Sequence, residues 1–440
     1  MSKSNRILQI AGGIALVSML AGSAVPQVAQ ASQAQASATV TIGVSVPILQ
    51  LATLANGIAR GVKVAVAQAN ANNTVPGVTF KANVLDDTIS NSNNPEKDAA
   101  NARIFIADQT VIGEVGPLNS GATKGSEAVY NQAGLVQISP SNTNVDLTNP
   151  KLRAQYEPRA ASGKGPITYF RTVTTDAYQG PEDAVYAVKT LHAKRIAVTD
   201  NTDPYGVGLA ASFKAEAIKL GAQIVATGEL DVSQPKLGAP QLAQNIASAS
   251  GGVVDLVFFG GEYDTHTGGG TFLADALKSA GLHNTANKPT LFMGGDGLYA
   301  PDFITASSNG GVLTAYASSI GPDALSFPGA KAFNAAEAKM FPGTPPAAYD
   351  VESYDAANII INAYAQAVKA GKIKVGAPMD ITSRSIIATY VGKTKNWPGG
   401  SGSISFDANG DLTSFVVSMY KVVGSGKTAH WIYAGLDPQV

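Results

Sequence analysis

The chain has 440 residues, of which 45% are apolar and 14% are charged, a composition typical of a globular protein with two or three domain-sized units. The net charge of -1 gives no electrostatic reason to expect binding to nucleic acid or to an anionic membrane surface. The sequence contains no cysteine, which excludes disulfide bonds, thiolate catalysis, cysteine-based metal sites and a lipid-modified N-terminal cysteine.

The N-terminus has the pattern of a secretory signal peptide. Lys3 and Arg6 form a basic segment, and the apolar run from Ile7 to Leu20 is short for a membrane span. One small-x-small motif ends at Ala31 and a second ends at Ala36, so we expect a signal peptide over 1–31, with cleavage as late as 36. An N-terminal anchor helix is the alternative. We therefore expect a soluble mature protein exported to a periplasm.

Strands and helices alternate through the first part of the mature chain. A strand over Ala38 to Val46 precedes a helix over Ala59 to Asn70, and a second strand covers Thr79 to Leu85. Asn94 and Pro95 then begin a helix as N-cap and first helical residue. This alternation with short connections predicts a parallel, doubly wound sheet.

The next stretch contains two apolar strands, Val111 to Val115 and Leu135 to Ile138, with a helix over Ser120 to Ala133 between them. Small hydroxyl, amide and glycine residues follow both strands: Asn119, Ser120 and Gly121 after the first, and Ser139, Ser141, Asn142 and Thr143 after the second. Ligands bind beyond the carboxyl ends of parallel strands, and a helix N-terminus there suits a carboxylate or a phosphate. We expect half of a small-molecule site here. Plain helix capping is the alternative.

A second set of alternating elements follows Arg171, which predicts a second lobe of similar build. Its strands are expected at Arg195–Thr199, Gln223–Gly228, Asp255–Phe259 and Thr290–Met293. Its helices are expected at Gly206–Leu220, Gln241–Ala249 and Thr271–Ala280. A long helix over Tyr349 to Ala370 and a hairpin over Gly402 to Tyr420, with its turn at Asn409-Gly410, complete the chain.

Two strand ends of this second set place a carboxylate among glycines. Glu262 follows the strand that ends at Phe259, and Asp296 follows the strand that ends at Met293. Such residues also favour ordinary turns, which is the alternative reading of each spot. We regard both carboxylates as candidates for a ligand site.

Motifs for catalysis and nucleotide binding do not fit the chain. Gly206 begins a GxGxxA match, but six residues separate it from the preceding strand, so helix packing explains it. A P-loop spacing at Gly116 has Ala122 where the lysine must stand. The four histidines are dispersed, and no serine lies in a GxSxG motif. We therefore expect no enzymatic activity, no cofactor and no metal.

A set of short motifs is spread in order along the mature chain. They are Asp86-Asp87, Asn94-Pro95, Ile112-Gly113, Ser120, Ile138-Ser139-Pro140, Thr143-Asn144, Arg171-Thr172, Gln179-Gly180, Tyr205-Gly206, Phe259-Gly260-Gly261, Gly294 and Asp296-Gly297. As an ordered set, they resemble the type I periplasmic solute-binding proteins of branched-chain amino-acid ABC transporters, the leucine/isoleucine/valine-binding proteins. The resemblance extends from Thr39 to about Tyr420.

The resemblance implies two doubly wound α/β lobes joined by a hinge, with a ligand cleft between them. We expect the first lobe over 38–172 plus 318–390 and the second over 173–317 plus 391–440. The implied function is that of a substrate-binding protein of an ABC importer. Such a protein captures an amino acid, delivers it to permease subunits in the membrane, and is expected to be a monomer.

The resemblance also implies roles for single residues. By position, Ser120 and Thr143 take the ligand's carboxylate, and Ser141 and Asn142 supply backbone groups. Asp296 stands where the family has an acid for the ammonium group. Tyr205 falls on a contact from the second lobe, and Gly121 is expected in the site with Ser120.

Departures from the family pattern leave the ligand open. Glu262 stands where branched-chain binders usually have an aromatic residue, Leu54 replaces an aromatic in the first loop, and Asp296 is shorter than the usual Glu. Tyr178 adds an aromatic near the hinge-side loop and is a further candidate contact. The alternatives are an amide, a urea-like compound, a polar amino acid or an aromatic acid as ligand, or a sensory role. A secreted hydrolase is disfavoured because no nucleophile elbow, metal spacing or cysteine is present.

Overall fold

A computed structural model of the protein describes residues 38–266, 268–307, 315–323 and 325–436. The expected signal peptide and both cleavage positions lie outside these residues. Within them, no helix combines the length and the apolar character needed to cross a membrane.

Strands and helices alternate through most of the chain. The strands are β1 Ala38–Val46, β2 Val78–Asp86, β3 Thr88–Ile89, β4 Ser92–Asn93, β5 Val111–Val115, β6 Gln137–Ser139, β7 Tyr169–Arg171, β8 Arg195–Asp200, β9 Gln223–Glu229, β10 Leu256–Gly260, β11 Leu291–Gly294, β12 Ala315–Ser319, β13 Trp397–Gly399, β14 Gly402–Ile404, β15 Ser418–Val423 and β16 His430–Leu436. The α-helices are α1 Ala52–Ala71, α2 Pro95–Ala107, α3 Ser120–Ala133, α4 Arg153–Tyr156, α5 Pro158–Ala161, α6 Asp176–Val185, α7 Pro204–Lys219, α8 Pro235–Ser250, α9 Gly270–Ser279, α10 Pro301–Ala306, α11 Lys331–Met340, α12 Asp350–Lys369 and α13 Ile381–Val391.

The first sheet has the strand order β2-β1-β5-β6-β7 and is parallel throughout. Strands β5 and β6 are buried along their whole length, as the continuous apolar runs predict. Helices α1, α2 and α12 pack against this sheet, and α13 joins them beside β5. These elements form the first lobe.

The second sheet has the order β16-β15-β12-β11-β10-β8-β9. It is parallel from β9 to β12, but β15 and β16 join it antiparallel. Helices α7 and α8 pack against it, and the whole forms the second lobe. The α/β class and the two-lobe architecture agree with the expected fold, whereas the purely parallel sheet does not hold for the second lobe. The exact lobe boundaries stay a prediction.

The expected hairpin from Gly402 to Tyr420 is largely wrong. Asn409 and Gly410 do lie in a turn, where Asp407 Oδ1 accepts from the backbone N–H of Asn409 at 2.7 Å. Only Phe406 and Leu412 pair across that turn. The end of this segment instead begins β15, which pairs with β12 on one side and with the C-terminal strand β16 on the other. Each of these pairings is longer than the single pair across the turn.

Helix α1 begins seven residues before the expected start at Ala59 because two glycines inside it serve packing rather than termination. A Cβ at Gly57 would lie 2.8 Å from Cβ of Ala347, and one at Gly61 would lie 2.1 Å from the carbonyl oxygen of Asp350. The glycines therefore let α1 approach the start of α12 closely. This contact fixes the beginning of α12, which borders the cleft.

Three carboxyl groups are buried together under the carboxyl end of the first sheet. Asp98 accepts a hydrogen bond from the Ser45 hydroxyl, and Glu114 accepts one from the Ser45 backbone N–H at 3.3 Å. Burial raises the pKa of Asp98 to about 6 despite hydrogen bonds from Ser126 and Ser45. Burial, together with the charge on Asp98, raises the pKa values of Glu114 and Asp87 well above their ordinary range. The fold therefore favours the protonated acids.

We expect Asp98→Asn to stabilise the protein at pH 8 by on the order of 2–3 kcal/mol, since the pKa of Asp98 rises from 3.8 to about 6 on folding. In the wild type, protonated Asp98 contributes fully to the free energy of unfolding below pH 4. This contribution is lost as the pH rises to about 6, because the folded state must then bury a charged carboxylate. Urea unfolding between pH 4 and pH 8 measures this slope. The exposed Glu96→Gln serves as control, and an unchanged slope in Asp98→Asn would contradict the expectation.

Candidate functional site

A small cavity lies where the carboxyl ends of both sheets meet. Its volume is about 10 Å³, space for roughly one water molecule. It is lined by Leu54, Leu118, Asn119, Ser120, Ser141, Tyr205, Glu262, Asp296, Gly297 and Tyr349. The expected contacts Leu54, Ser120, Ser141, Tyr205 and Asp296 are therefore brought together from five separate segments, with Glu262 beside them.

The first lobe presents a helix N-terminus to the cavity. Ser120 is the first residue of α3, and its hydroxyl accepts from the Asn144 backbone N–H at 3.5 Å. Asn119, the N-cap residue, makes no side-chain cap, so the first-turn N–H groups are not satisfied by it. Free N–H groups and the positive end of the helix dipole suit an anionic group.

Arg171 and Asn142 hold the loop after β6 in place. The Arg171 guanidinium donates to the carbonyl oxygens of Asn142 at 2.9 Å and Asn144 at 3.1 Å, and it forms an ion pair with Asp411 at 2.7 Å. The Asn142 side chain donates to the carbonyl oxygen of Leu118 at 2.7 Å. The two polar loops that border the cavity are therefore tied to each other and to the core.

The second lobe presents a carboxylate held by three neutral donors. Asp296 Oδ1 accepts from Gln179 Nε2 at 2.8 Å and from the Tyr205 hydroxyl at 2.9 Å, and Oδ2 accepts from the Tyr349 hydroxyl at 2.6 Å. Burial raises the pKa of Asp296, and these three hydrogen bonds act in the opposite direction. No cation pairs with Asp296 within the described residues. A bound ammonium group would supply the missing charge.

Glu262 is a second buried acid in the same wall. Its Oε1 accepts from the side-chain amide of Asn119 at 3.0 Å, and its Oε2 accepts from that of Asn201 at 2.6 Å. Burial raises its pKa well above the ordinary range, with further increases from the charges on Asp203 and Asp264. Two amide donors thus occupy this carboxylate, one from each lobe.

Hydrogen bonds cross directly between the lobes around the cavity. Besides Asn119 and Glu262, Asn144 Nδ2 donates to the carbonyl oxygen of Pro204 at 2.6 Å, and Thr53 Oγ1 donates to Asp302 at 2.6 Å. Gly121 also belongs to this contact, because a Cβ there would lie 2.8 Å from Asp203 Oδ2. The lobes are therefore closed on each other.

Four expected contacts do not line the inner cavity. Gly121 borders an outer pocket of about 370 Å³ that also reaches Glu262. The Asn142 side chain donates to the carbonyl oxygen of Leu118 and does not reach the cavity. Thr143 is buried outside the cavity lining, and its carbonyl oxygen accepts from the Asp176 backbone N–H at 2.8 Å. Tyr178 is half exposed and packs against Phe415 with ring centroids 4.3 Å apart, so it lies away from the cavity.

Several groups in and around the cavity are not predictable from the sequence alone. Asn119 stood among the polar residues after β5, but nothing marked its side chain as the partner of Glu262. Tyr349 was assigned to the start of a helix, whereas it is the N-cap of α12 with φ of +68°. Gln179 does not line the cavity but donates to Asp296 at 2.8 Å, and the sequence shows it only as part of a family motif. A strand-end rule finds residues next to strands, and Tyr349 lies far from any strand in sequence.

Metal binding finds no support in the described part of the chain, where no three His, Cys, Asp or Glu residues are grouped to hold an ion. The arrangement can instead bind a small molecule with an anionic end toward α3 and a cationic end toward Asp296.

Comparison with known proteins gives a consistent assignment. A family profile described as periplasmic binding protein matches residues 39–427. A Leu/Ile/Val-binding protein, BraC3 of Rhizobium johnstonii, is 28% identical over 389 residues, covering 88% of this chain and 92% of that protein. LivJ of Streptococcus pneumoniae, a branched-chain amino acid transporter substrate-binding protein solved with isoleucine, shares the fold with a TM-score of 0.69 at 22% identity, covering 90% of this chain and 99% of that one. A solute-binding protein from R. palustris in complex with 4-hydroxybenzoate has a TM-score of 0.65 at 17% identity, covering 91% and 98%.

Proposed function

The chain belongs to the periplasmic binding protein family, and on that premise we propose that it is the substrate-binding protein of an ABC importer that captures an amino acid between its lobes. The family comprises solute-binding proteins rather than enzymes, so the expectation of no enzymatic activity is confirmed. Delivery to membrane permease subunits, a periplasmic location and a monomeric state belong to the proposal.

The observation that carries the proposal is the opposite chemistry of the two cavity walls. Ser120 and the N-terminus of α3 face the cavity from the first lobe, and Asp296 faces it from the second. An α-amino acid carries a carboxylate and an ammonium group on one carbon, so a short cavity with one anion-binding and one anionic wall matches it. Ser141 supports the first wall by donating to the carbonyl oxygen of Leu118 at 2.9 Å.

The side-chain end of the ligand meets both apolar surface and a carboxylate. Leu54, Leu118 and Tyr349 supply apolar surface, which suits a branched-chain amino acid. Glu262 adds a carboxylate with two amide partners to the same cavity, and this observation favours a polar amino acid or an amide as the second candidate. Because the cavity holds only about 10 Å³, either ligand requires the lobes to part and the side chains to shift.

Mass spectrometry of released ligand and calorimetry test the proposal together. The purified protein is denatured, any released small molecule is identified, and the refolded protein is titrated with leucine, isoleucine, valine, glutamine, an aliphatic amide and 4-hydroxybenzoate. Saturable binding of an amino acid supports the proposal. Binding of the amide or the aromatic acid alone overturns the amino-acid assignment, and chemical turnover of any titrant overturns the binding-protein function.

We expect Ser120→Ala to weaken binding of that amino acid by about 1.5–3 kcal/mol, because a hydrogen bond to a charged carboxylate is lost. The exposed Ser279→Ala, a hydroxyl on helix α9 far from the cavity, should leave the affinity unchanged. Calorimetric titration of both variants measures the difference. Equal affinities for Ser120→Ala and wild type would remove Ser120 from the carboxylate site.

A further inference from the structure

A second pocket lies beside the cleft and takes no part in the proposed capture of an amino acid. Its volume is about 330 Å³, far larger than that of the inner cavity. Residues of both lobes line it: α10, β15 and β16 contribute from the second lobe, and the segment from Pro345 to Glu352, which leads into α12, contributes from the first. A cavity of this size accommodates a small organic molecule.

An ordered group of aromatic rings forms one wall of this pocket. The rings of Tyr299 and Tyr420 stack with centroids 3.8 Å apart, and the Trp431 ring meets Tyr299 edge-on at 5.8 Å. The indole N–H of Trp431 donates to the carbonyl oxygen of Ala300 at 2.9 Å, which fixes the ring. The pocket thus has a rigid aromatic surface that needs no rearrangement to receive a ligand.

The carboxylates that line the pocket make its charge negative. Asp323, Asp350 and Glu352 line the pocket, and neither lysine nor arginine is among its described lining residues. Asp323 accepts from the Tyr420 hydroxyl at 2.9 Å, and Asp350 accepts from two backbone N–H groups. Glu352 is only 6% exposed, and in the described part of the chain its carboxylate receives no side-chain hydrogen bond. The carboxylate accepts a hydrogen bond from its own backbone N–H, but no cation pairs with it within the described residues, so a cationic ligand can supply the counter-charge.

We propose that this pocket is a second binding site, for a small organic cation with an apolar or aromatic body. The aromatic faces of Tyr299, Tyr420 and Trp431 attract a cation and cover its apolar part. The Glu352 carboxylate provides the counter-charge. An anion would meet three acids, and a neutral ligand would leave Glu352 without a counter-charge.

The second site contacts the cleft through Tyr349. This residue lines both cavities, and its hydroxyl donates to Asp296 Oδ2 at 2.6 Å. Because residues of both lobes form the pocket, a bound cation favours the closed arrangement of the lobes. If the amino-acid site is as proposed, the cation therefore changes amino-acid affinity through Tyr349, but cation binding itself does not depend on that function.

Glu352 makes cation binding depend on pH. Burial, with smaller contributions from the charges of Asp350 and Asp355, raises its pKa to about 8, although a hydrogen bond from its own backbone N–H acts in the opposite direction. The other titratable groups that line the pocket are Asp323, His430 and the tyrosines Tyr299, Tyr349 and Tyr420. A permanent cation stabilises the ionised acid, so its affinity rises from pH 6 to pH 9 as Glu352 loses its proton.

Tryptophan fluorescence tests the proposal directly. The chain has only two tryptophans, so Trp397→Phe leaves Trp431 as the sole reporter in the full-length protein. This protein is titrated with benzyltrimethylammonium, with benzyl alcohol and with 3-phenylpropanoate. We expect a saturable change of Trp431 emission with the cation alone, tighter at pH 9 than at pH 6. Equal responses to all three probes, or none, overturn the proposal.

Matched variants locate the site. Glu352→Gln should weaken binding of benzyltrimethylammonium by about tenfold or more, while the exposed Glu96→Gln should not change it. Thr305 is an exposed residue that lines the pocket, so Thr305→Lys places an ammonium group there. This variant should abolish binding of benzyltrimethylammonium, and it tests the site even if Glu352→Gln fails to fold. Unchanged binding in both Glu352→Gln and Thr305→Lys overturns the proposal.

Discussion

Asp296→Asn is expected to weaken amino-acid binding by about 3–5 kcal/mol, because it removes the charge that pairs with the buried ammonium group. The substitution keeps the shape of the side chain. With the amide oxygen toward Gln179 and Tyr205, the new amide nitrogen faces Tyr349, whose hydroxyl can rotate to accept from it. The loss should therefore lie in binding rather than in folding. Calorimetric titration of the variant with the amino acid found in the wild type measures it.

Glu262→Gln is the matched control, since both carboxylates are buried and both line the same cavity. Both carboxylates accept only from neutral groups, but burial and the charges on Asp203 and Asp264 raise the pKa of Glu262 well above its ordinary range, which favours the protonated acid that Gln resembles. The pKa of Asp296 is also raised by burial, but three hydrogen bonds oppose that rise and favour its ionised form. We expect the smaller loss for Glu262→Gln. If Asp296→Asn binds as the wild type does while Glu262→Gln does not, the ammonium site belongs to Glu262. If neither matters, the ligand is not an amino acid.

Arg171→Ala is expected to lower the free energy of unfolding by about 3 kcal/mol, the lower end of the cost of breaking a buried ion pair. The side chain of Arg171 is fully buried, but that of its partner Asp411 is 25% exposed, so water partly compensates the charge that remains. The substitution also removes the donors to the carbonyl oxygens of Asn142 and Asn144. Urea unfolding measures the stability, and calorimetry should show weaker ligand binding in the protein that remains folded.

Lys219→Ala provides the matched control for loss of a cation. Lys219 pairs with Glu216 at 2.8 Å, but its side chain is 70% exposed. A surface pair of this kind contributes about 0–1 kcal/mol. If Arg171→Ala lowers the free energy of unfolding no more than Lys219→Ala does, Arg171 does not stabilise the loop after β6. Other contacts then hold that loop in place.

The sequence predicts the strand-end half of the cavity well, for a physical reason. Ser120, Ser141, Glu262 and Asp296 each follow a buried strand within a few residues, and the carboxyl ends of parallel strands meet at one edge. The local sequence is therefore enough to predict that these four residues lie near one another. No comparable rule assigns their hydrogen-bond partners, because these depend on how closely the two lobes approach.

Tyr349 shows why the rest was not predictable. It begins α12 with a left-handed backbone conformation, and its ring reaches the cavity only because α1 packs tightly on α12. That packing depends on Gly57 and Gly61, and no local sequence pattern shows that these glycines lie against α12. The antiparallel strands β15 and β16 were missed for a similar reason, since pairing with β12 is set by tertiary contact rather than by a local turn.

The hydrogen bonds that join the lobes have a kinetic consequence. When the lobes part, the side chains of Asn119, Asn144 and Thr53 exchange protein partners for water, which costs only about 0.5–1.5 kcal/mol each. The open conformer is therefore minor but accessible. Because only the open conformer can take up the ligand, the apparent affinity is lower than the intrinsic affinity by the fraction of molecules that are open. At high ligand concentration the observed association rate should stop rising and become equal to the rate of hinge opening. Hinge motions of this kind take on the order of microseconds to milliseconds. The protein's own contacts, rather than diffusion, then limit how fast it loads.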